Sequence, residues 1–179
     1  MVTFRQIQSA TDDAVRDFRA CGLNTASLQE CQVVAIPFGS AYGYCRETGQ
    51  ILIPCVSLDR IWARITGGQR CTLRDIIRHE MGHALAACHT QLVQNCDFHR
   101  AFGAPHDTDR NEEPLFDWDE YLTEYACESP GEDFAETVMV YTRHRGRIDR
   151  YRHLRGVARK LAFIATLPRR IRRLGIELA

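Results

Sequence analysis

The sequence predicts an α+β fold, in which a small, partly antiparallel sheet packs on one central helix and the C-terminal part is helical. Three observations predict it. β-rich runs are confined to residues 31–57, helical periodicity governs most of the chain after Thr72, and no linker or repeat interrupts it. With 179 residues, 45% of them hydrophobic, and only 12 Gly and 6 Pro, the chain can bury a core of its own, which excludes disordered and collagen-like classes. Residues 1–179 are therefore read as one domain.

The first element, Ser9–Ala20, reads as a short helix, with Thr11 as its N-cap, Asp12 and Asp13 in the first turn and Gly22 beyond its end. Cys31–Phe38 (CQVVAIPF) is a strand, with Pro37 marking its end or a sheet edge. Tyr42–Cys45 and Gln50–Ser57 flank Glu47-Thr48-Gly49, a hairpin signal. Thr72 opens a helix that reaches about Thr90, with Asp75 in the capping-box position. Asn95–Trp118 is polar and reads as a long irregular loop. Ser129–Arg143 is a helix with a well-marked start. Arg147–Leu167 reads as another, stopped by Pro168, with a basic helix after it.

Charge is unevenly distributed. The 23 basic and 23 acidic side chains cancel, yet residues 1–142 carry 11 basic against 21 acidic groups, and residues 143–179 carry 12 against 2. All but one of the basic residues are Arg, the exception being Lys160. A GC-rich genome accounts for this, and selection against lysine modification is the alternative. The basic stretch has apolar residues at helical spacing (Leu154, Val157, Ala158, Leu161, Ala162), so it reads as a core-packed helix with an Arg-rich outer face. Binding of nucleic acid or an anionic surface through 143–173 is the other reading. Asp107, Asp109, Glu112, Glu113, Asp117, Asp119 and Glu120 form an acidic stretch. It reads as a solvated loop, with a calcium site or a dock for the basic tail as alternatives.

The eight cysteines contain no C-x-x-C pair, so a zinc ribbon or a thioredoxin-like site is not indicated, and free, mostly buried thiols are expected. No run of about 18 apolar residues marks a membrane span. The N-terminus lacks the apolar stretch of a Sec signal, so the expected location is the cytoplasm or an export route without such a signal.

The chemistry centres on His79-Glu80-Met81-Gly82-His83, an H-E-x-x-H motif. Histidines four residues apart share one helix face and can bind one metal ion. Glu80, beside the first His, then projects next to an open metal position, where it can take a proton from water and pass it to a leaving amine. Ile77, Met81, Ala84 and Cys88 fall on the opposite, apolar face. A catalytic zinc site needs a third protein ligand. Ser129-Pro130-Gly131-Glu132 starts a helix on which Glu132 and Glu136 lie one turn apart. One of them can ligate while the other orients a ligating His; alternatively, Glu132 only closes a capping box and Glu136 is solvated. His89, His99 and His106 read as polar surface.

The pair H-E-x-x-H … E-x-x-x-E resembles gluzincin metallopeptidases. With Tyr125 seven residues before Glu132, the stretch is similar to the peptidase domain of anthrax lethal factor, to the Pro-Pro endopeptidases and to a group of bacterial zinc-binding metallopeptidases. The resemblance covers about residues 73–143. It implies a zincin-like fold with 72–143 as catalytic core and 147–179 as a basic helical tail of the same domain. It further implies one catalytic Zn2+ on His79, His83 and Glu132, with Glu80 as general base, Tyr125 as oxyanion donor and Glu136 orienting a ligand. The substrate would be a protein or peptide, laid along an edge strand drawn from Val33–Phe38 or Gln50–Ser57. Two alternatives stay open: a mobile-element or DNA-associated metallopeptidase-like protein that binds nucleic acid through its Arg-rich helices, and a non-catalytic zinc-binding interaction protein.

Overall fold

A computed structural model describes residues 1–39, 42–57, 72–108 and 116–179. Helix α1 (Phe4–Ala20) starts earlier than expected, because Thr3 rather than Thr11 caps it. The Thr3 hydroxyl accepts from the Gln6 N–H, and the Gln6 side chain closes the capping box. Thr11 lies inside the helix and donates to the Ile7 carbonyl. The longer helix buries Ile7, Ala10, Ala14 and Phe18 as one stripe, which the shorter one would have left incomplete. A five-residue helix that the sequence did not reveal, α2 (Ala26–Glu30), comes next, with Thr25 as its cap.

Strands β1 (Gln32–Gly39), β2 (Gly43–Cys45) and β3 (Gln50–Ser57) form a mixed sheet in the order β1-β3-β2. β3 pairs parallel with β1, Gln32 opposite Gln50, and antiparallel with β2, Gly43 opposite Leu52. The β2–β3 hairpin is present, with Gly49 at φ 66°, a conformation that costs glycine nothing. Pro37 lies within β1, which continues to Gly39 on the side of the sheet away from β2.

The rest is helical. Helix α3 (Leu73–Cys88) carries the H-E-x-x-H motif, and the Thr72 hydroxyl caps it on the Asp75 N–H. Helix α4 (Cys96–Phe102) falls inside the stretch expected to be irregular. Asn95 caps its start, Gly103 at φ 82° ends it, and Phe98, Ala101 and Phe102 are buried. The polar composition around it hid this short apolar stripe. Cys71, Asp109, Glu112 and Glu113 lie outside the described residues.

Helix α5 (Pro130–Arg143) begins at the Ser129 cap, as its sequence indicates. Helix α6 (Arg155–Arg173) starts after the single turn Asp149–Tyr151, and it runs through Pro168 instead of stopping there. Leu167 and Ile171, on either side of the proline, are fully buried. Their packing outweighs the one backbone hydrogen bond that proline cannot make. A single apolar core runs from Ile7 through Ile51, Leu85 and Phe134 to Ile171, so the basic tail shares the core of the acidic body.

Lys160, the one lysine, joins these halves. Its ammonium is buried, 2.7 Å from Asp133 on α5, and lies 4.1 Å from the centroid of the Tyr121 ring. Lys160→Met is expected to destabilise the fold by about 3–5 kcal/mol, because Asp133 loses its cation in the interior. Urea unfolding measures this, and a loss below about 1 kcal/mol would mean that the pair does not hold α6 in place.

Candidate metal centre

The motif helix buries the face that its spacing assigns to the core: Ile77, Met81 and Ala84 are at most 4% exposed, while Cys88 is half-buried. The opposite face meets α5. A Cβ at Gly82, in the middle of the motif, would sit 3.0 Å from the Ala135 Cα. Glycine is therefore what allows α3 and α5 to approach closely at this point.

That approach brings the site together. His79 Nε2 and His83 Nε2 are 3.0 Å apart, and Glu132 Oε2 lies 3.0 Å from the first and 3.1 Å from the second. His79, His83 and Glu132 thus form a group that could hold a metal ion. The Ser129 hydroxyl accepts from the Glu132 N–H, but the Glu132 carboxylate points to the histidines instead of back to Ser129, so only half of a capping box forms. Glu136 Oε1 is 2.9 Å from His79 Nδ1, and Thr123 Oγ1 donates to Glu136 Oε2 at 3.1 Å. With Nδ1–H given to Glu136, the His79 Nε2 lone pair faces the other two ligand atoms.

Three lone-pair donors this close repel one another unless a cation lies among them. The ionisation of the groups says the same. Burial works against a charged His79, but hydrogen bonds to Glu132 and Glu136 outweigh it and raise its pKa to about 10. Burial likewise pushes Glu132 up, and the two histidines overcome this to hold it well below the usual carboxylate range. The donor set demands a cation, either a proton or a metal. Its two nitrogens and one oxygen suit a metal bound at about 2.0–2.2 Å, for which neighbouring donors stand roughly 3–3.5 Å apart.

Glu80 is buried beside this group. Its Oε2 accepts from the Tyr44 backbone N–H at 2.8 Å, and burial raises its pKa. The Tyr125 ring centroid is 5.6 Å from that of His79. Burial and the nearby Glu132 push the phenol pKa up, so Tyr125 is a neutral donor at physiological pH. A cleft of about 390 Å³ opens here, lined by Tyr42, Gly43, Tyr44, Tyr125, Ser129 and Gly131 among others. Of the six residues expected at the site from sequence, Glu80, His83, Tyr125 and Glu132 line this cleft, while His79 contacts Glu132 and Glu136 contacts His79.

The strand expectation needs correcting. Neither Val33–Phe38 nor Gln50–Ser57 lines the cleft; β2 does. Among the described residues β3 is bonded on both sides and β1 lies on the far edge, which leaves β2 beside the His79, His83 and Glu132 group. Sequence reasoning also missed Thr123 and the Tyr44 N–H. A backbone donor leaves no signature in residue type, and the Thr123 hydroxyl, which accepts from the Ala126 N–H at 3.1 Å, reaches the site through Glu136, 13 positions on.

Of the remaining histidines, His106 lines the cleft. His89 and His106 are buried, not surface residues; His89 meets the Thr25 hydroxyl at 2.8 Å and His106 the Asp107 carboxylate at 2.8 Å. Among the described cysteines, Cys21, Cys31, Cys45, Cys55 and Cys88 are half-buried free thiols, Cys96 is an exposed one and Cys127 is buried. Two acids of the acidic stretch pair with basic side chains. Glu120 pairs with Arg159 at 2.8 Å and Asp107 with Arg46 at 3.1 Å, whereas Asp119 accepts from the backbone N–H of Arg155 at 2.8 Å. Arg143 and Arg145 pair with Asp75 and Asp17, and Arg170 with Asp97. The charge split is thus in part neutralised internally. Among the described residues no helix is long and apolar enough to cross a membrane.

Compared with known proteins, the chain matches no family model, no curated protein and no solved structure.

Proposed function

We propose that this protein is a zinc-dependent endopeptidase of gluzincin type, with a zincin-like fold. One observation carries the reading: two imidazole nitrogens and one carboxylate oxygen converge within 3.1 Å of one another beside a buried carboxylate, Glu80, in an open cleft. His79, His83 and Glu132 would hold the ion, and Glu136 orients His79. Zinc, when bound, supplies Lewis acidity that polarises a peptide carbonyl and acidifies water.

The chain's own groups do the rest. Glu80, fixed by the Tyr44 N–H, takes the proton from the attacking water and delivers it to the leaving amine. Its burial raises its proton affinity towards what a general base needs at neutral pH. The Tyr125 hydroxyl donates to the oxyanion that develops on the carbonyl oxygen.

Incubation of the zinc-loaded protein with a peptide library is the test. Cleavage should stop on chelation and return with added zinc. A stoichiometrically zinc-loaded protein that cleaves nothing would favour a non-catalytic binding role. Tyr125→Phe removes one oxyanion donor and is expected to lower kcat about 10²–10³-fold, with zinc content unchanged. If its kcat equals that of wild type, Tyr125 serves in packing only.

A further inference from the structure

Two thiols face each other on the sheet side of the motif helix, away from its metal ligands. Cys88 is the last residue of α3, and Cys31 is the residue between α2 and β1. They are 57 positions apart in sequence, and their Sγ atoms lie 3.9 Å apart. Both side chains are half-buried. Cys88 lines a second pocket, of about 320 Å³, which shares Tyr44, Arg46, His106 and Asp107 with the cleft, so a small reagent can reach its sulfur.

The contact makes the two sulfurs unequal. Either sulfur can donate in this contact, and the shared bond draws the pKa of Cys88 down and that of Cys31 up. Cys88, which lines the second pocket while Cys31 does not, is the thiol a reagent meets first, and Cys31, 3.9 Å away, is placed to resolve the adduct it forms.

We propose that Cys31 and Cys88 are a redox-responsive pair that closes to a disulfide in exchange with a low-molecular-weight disulfide, tying the end of the metal-site helix to the start of β1. The reaction balances in two exchanges. The Cys88 thiolate attacks one sulfur of the small disulfide, forming a mixed disulfide and releasing one small thiolate. Cys31 then loses its proton to solvent and attacks Cys88 Sγ, and the bond to the second small thiol breaks. The two protein thiols are oxidised and the small disulfide is reduced to two thiols. Closure requires the sulfurs to move from 3.9 Å to about 2.05 Å.

The thiol pair is independent of the peptidase reading, and its test uses no activity. The full-length protein is incubated with glutathione disulfide, alkylated and analysed by intact mass and non-reducing peptide mapping. A mass loss of about 2 Da before alkylation, two fewer alkyl groups than the reduced protein takes up after it, a peptide crosslink joining Cys31 to Cys88 and reversal by dithiothreitol are expected. The oxidised form should melt roughly 5–10 °C higher, because the bond closes a long loop in the unfolded chain. Cys31→Ser should stop at a glutathione adduct on Cys88, and Cys88→Ser should leave Cys31 open to alkylation. Separate glutathione adducts on both cysteines of wild type, a crosslink between other cysteines, or no oxidation at oxidant levels that modify the exposed Cys96 would each overturn the proposal.

Discussion

Replacing Glu80 by Gln is expected to lower peptide hydrolysis about 10²–10⁴-fold while leaving zinc content and melting temperature nearly unchanged. The reason lies in the contacts and the ionisation of the carboxylate. Gln keeps the size of the side chain and retains an oxygen to accept from the Tyr44 N–H, so the wall of the cleft stays in place. It cannot take up a proton. Glu80 is only 7% exposed, and its burial lifts its pKa from the ordinary value, which makes it a better base than a solvated carboxylate. Initial rates on a peptide cleaved by wild type, with metal content measured on the same samples, provide the check. A variant that cleaves as fast as wild type while holding stoichiometric zinc would remove Glu80 from the mechanism. Loss of zinc in the variant would instead reveal a structural effect.

Removal of one ligand should have an equally large effect on binding. His83→Ala leaves His79 and Glu132, too few protein donors for a tight zinc site, and a loss of more than about 100-fold in zinc affinity is expected. Glu136→Gln keeps all three ligands but weakens the hold on the His79 Nδ1–H, and a loss of about 10–100-fold is expected. The order of the two variants is the informative result. If Glu136→Gln costs as much as His83→Ala, then Glu136 ligates directly and the roles of Glu132 and Glu136 must be exchanged. Metal analysis of the purified proteins and competitive titration with a zinc chelator measure both. Zinc should also stabilise wild type, by about 4 kcal/mol at a free concentration a thousandfold above Kd, and His83→Ala far less. Wild-type protein that neither carries zinc nor is stabilised by it would undo the metal assignment.

Much of the site is legible in the sequence, for a local reason. The spacing of His79 and His83 places both imidazoles on one face of any α-helix that contains them, whatever surrounds it. The start of α5 is equally local: Ser129, Pro130 and the Glu132 N–H make a helix cap out of neighbouring residues, and this sets where Glu132 and Glu136 begin. Local rules fail where burial outweighs them. Thr11 has the chemistry of a cap, yet the helix extends back to Thr3 because Ile7 and Ala10 are buried. Pro168 has the chemistry of a stop, yet Leu167 and Ile171 keep the helix going to Arg173. The buried Phe98–Phe102 pair turns part of a polar loop into α4, because aromatic surface that can stack at 4.5 Å is better buried than exposed.

Residue type and spacing within single elements were enough to define the candidate ligands, their helices and the opposed charges of the two halves. Tertiary packing was needed to turn Glu132 to the histidines, to set Glu136 and Thr123 behind them, and to face β2 rather than β1 or β3 to the cleft. Packing also brings basic residues of the tail to acids of the body and Cys31 to Cys88. Each of these rests on contacts between residues far apart in sequence, such as Gly82 against Ala135. The approach of two helix backbones depends on how the whole core packs, and no local spacing encodes it.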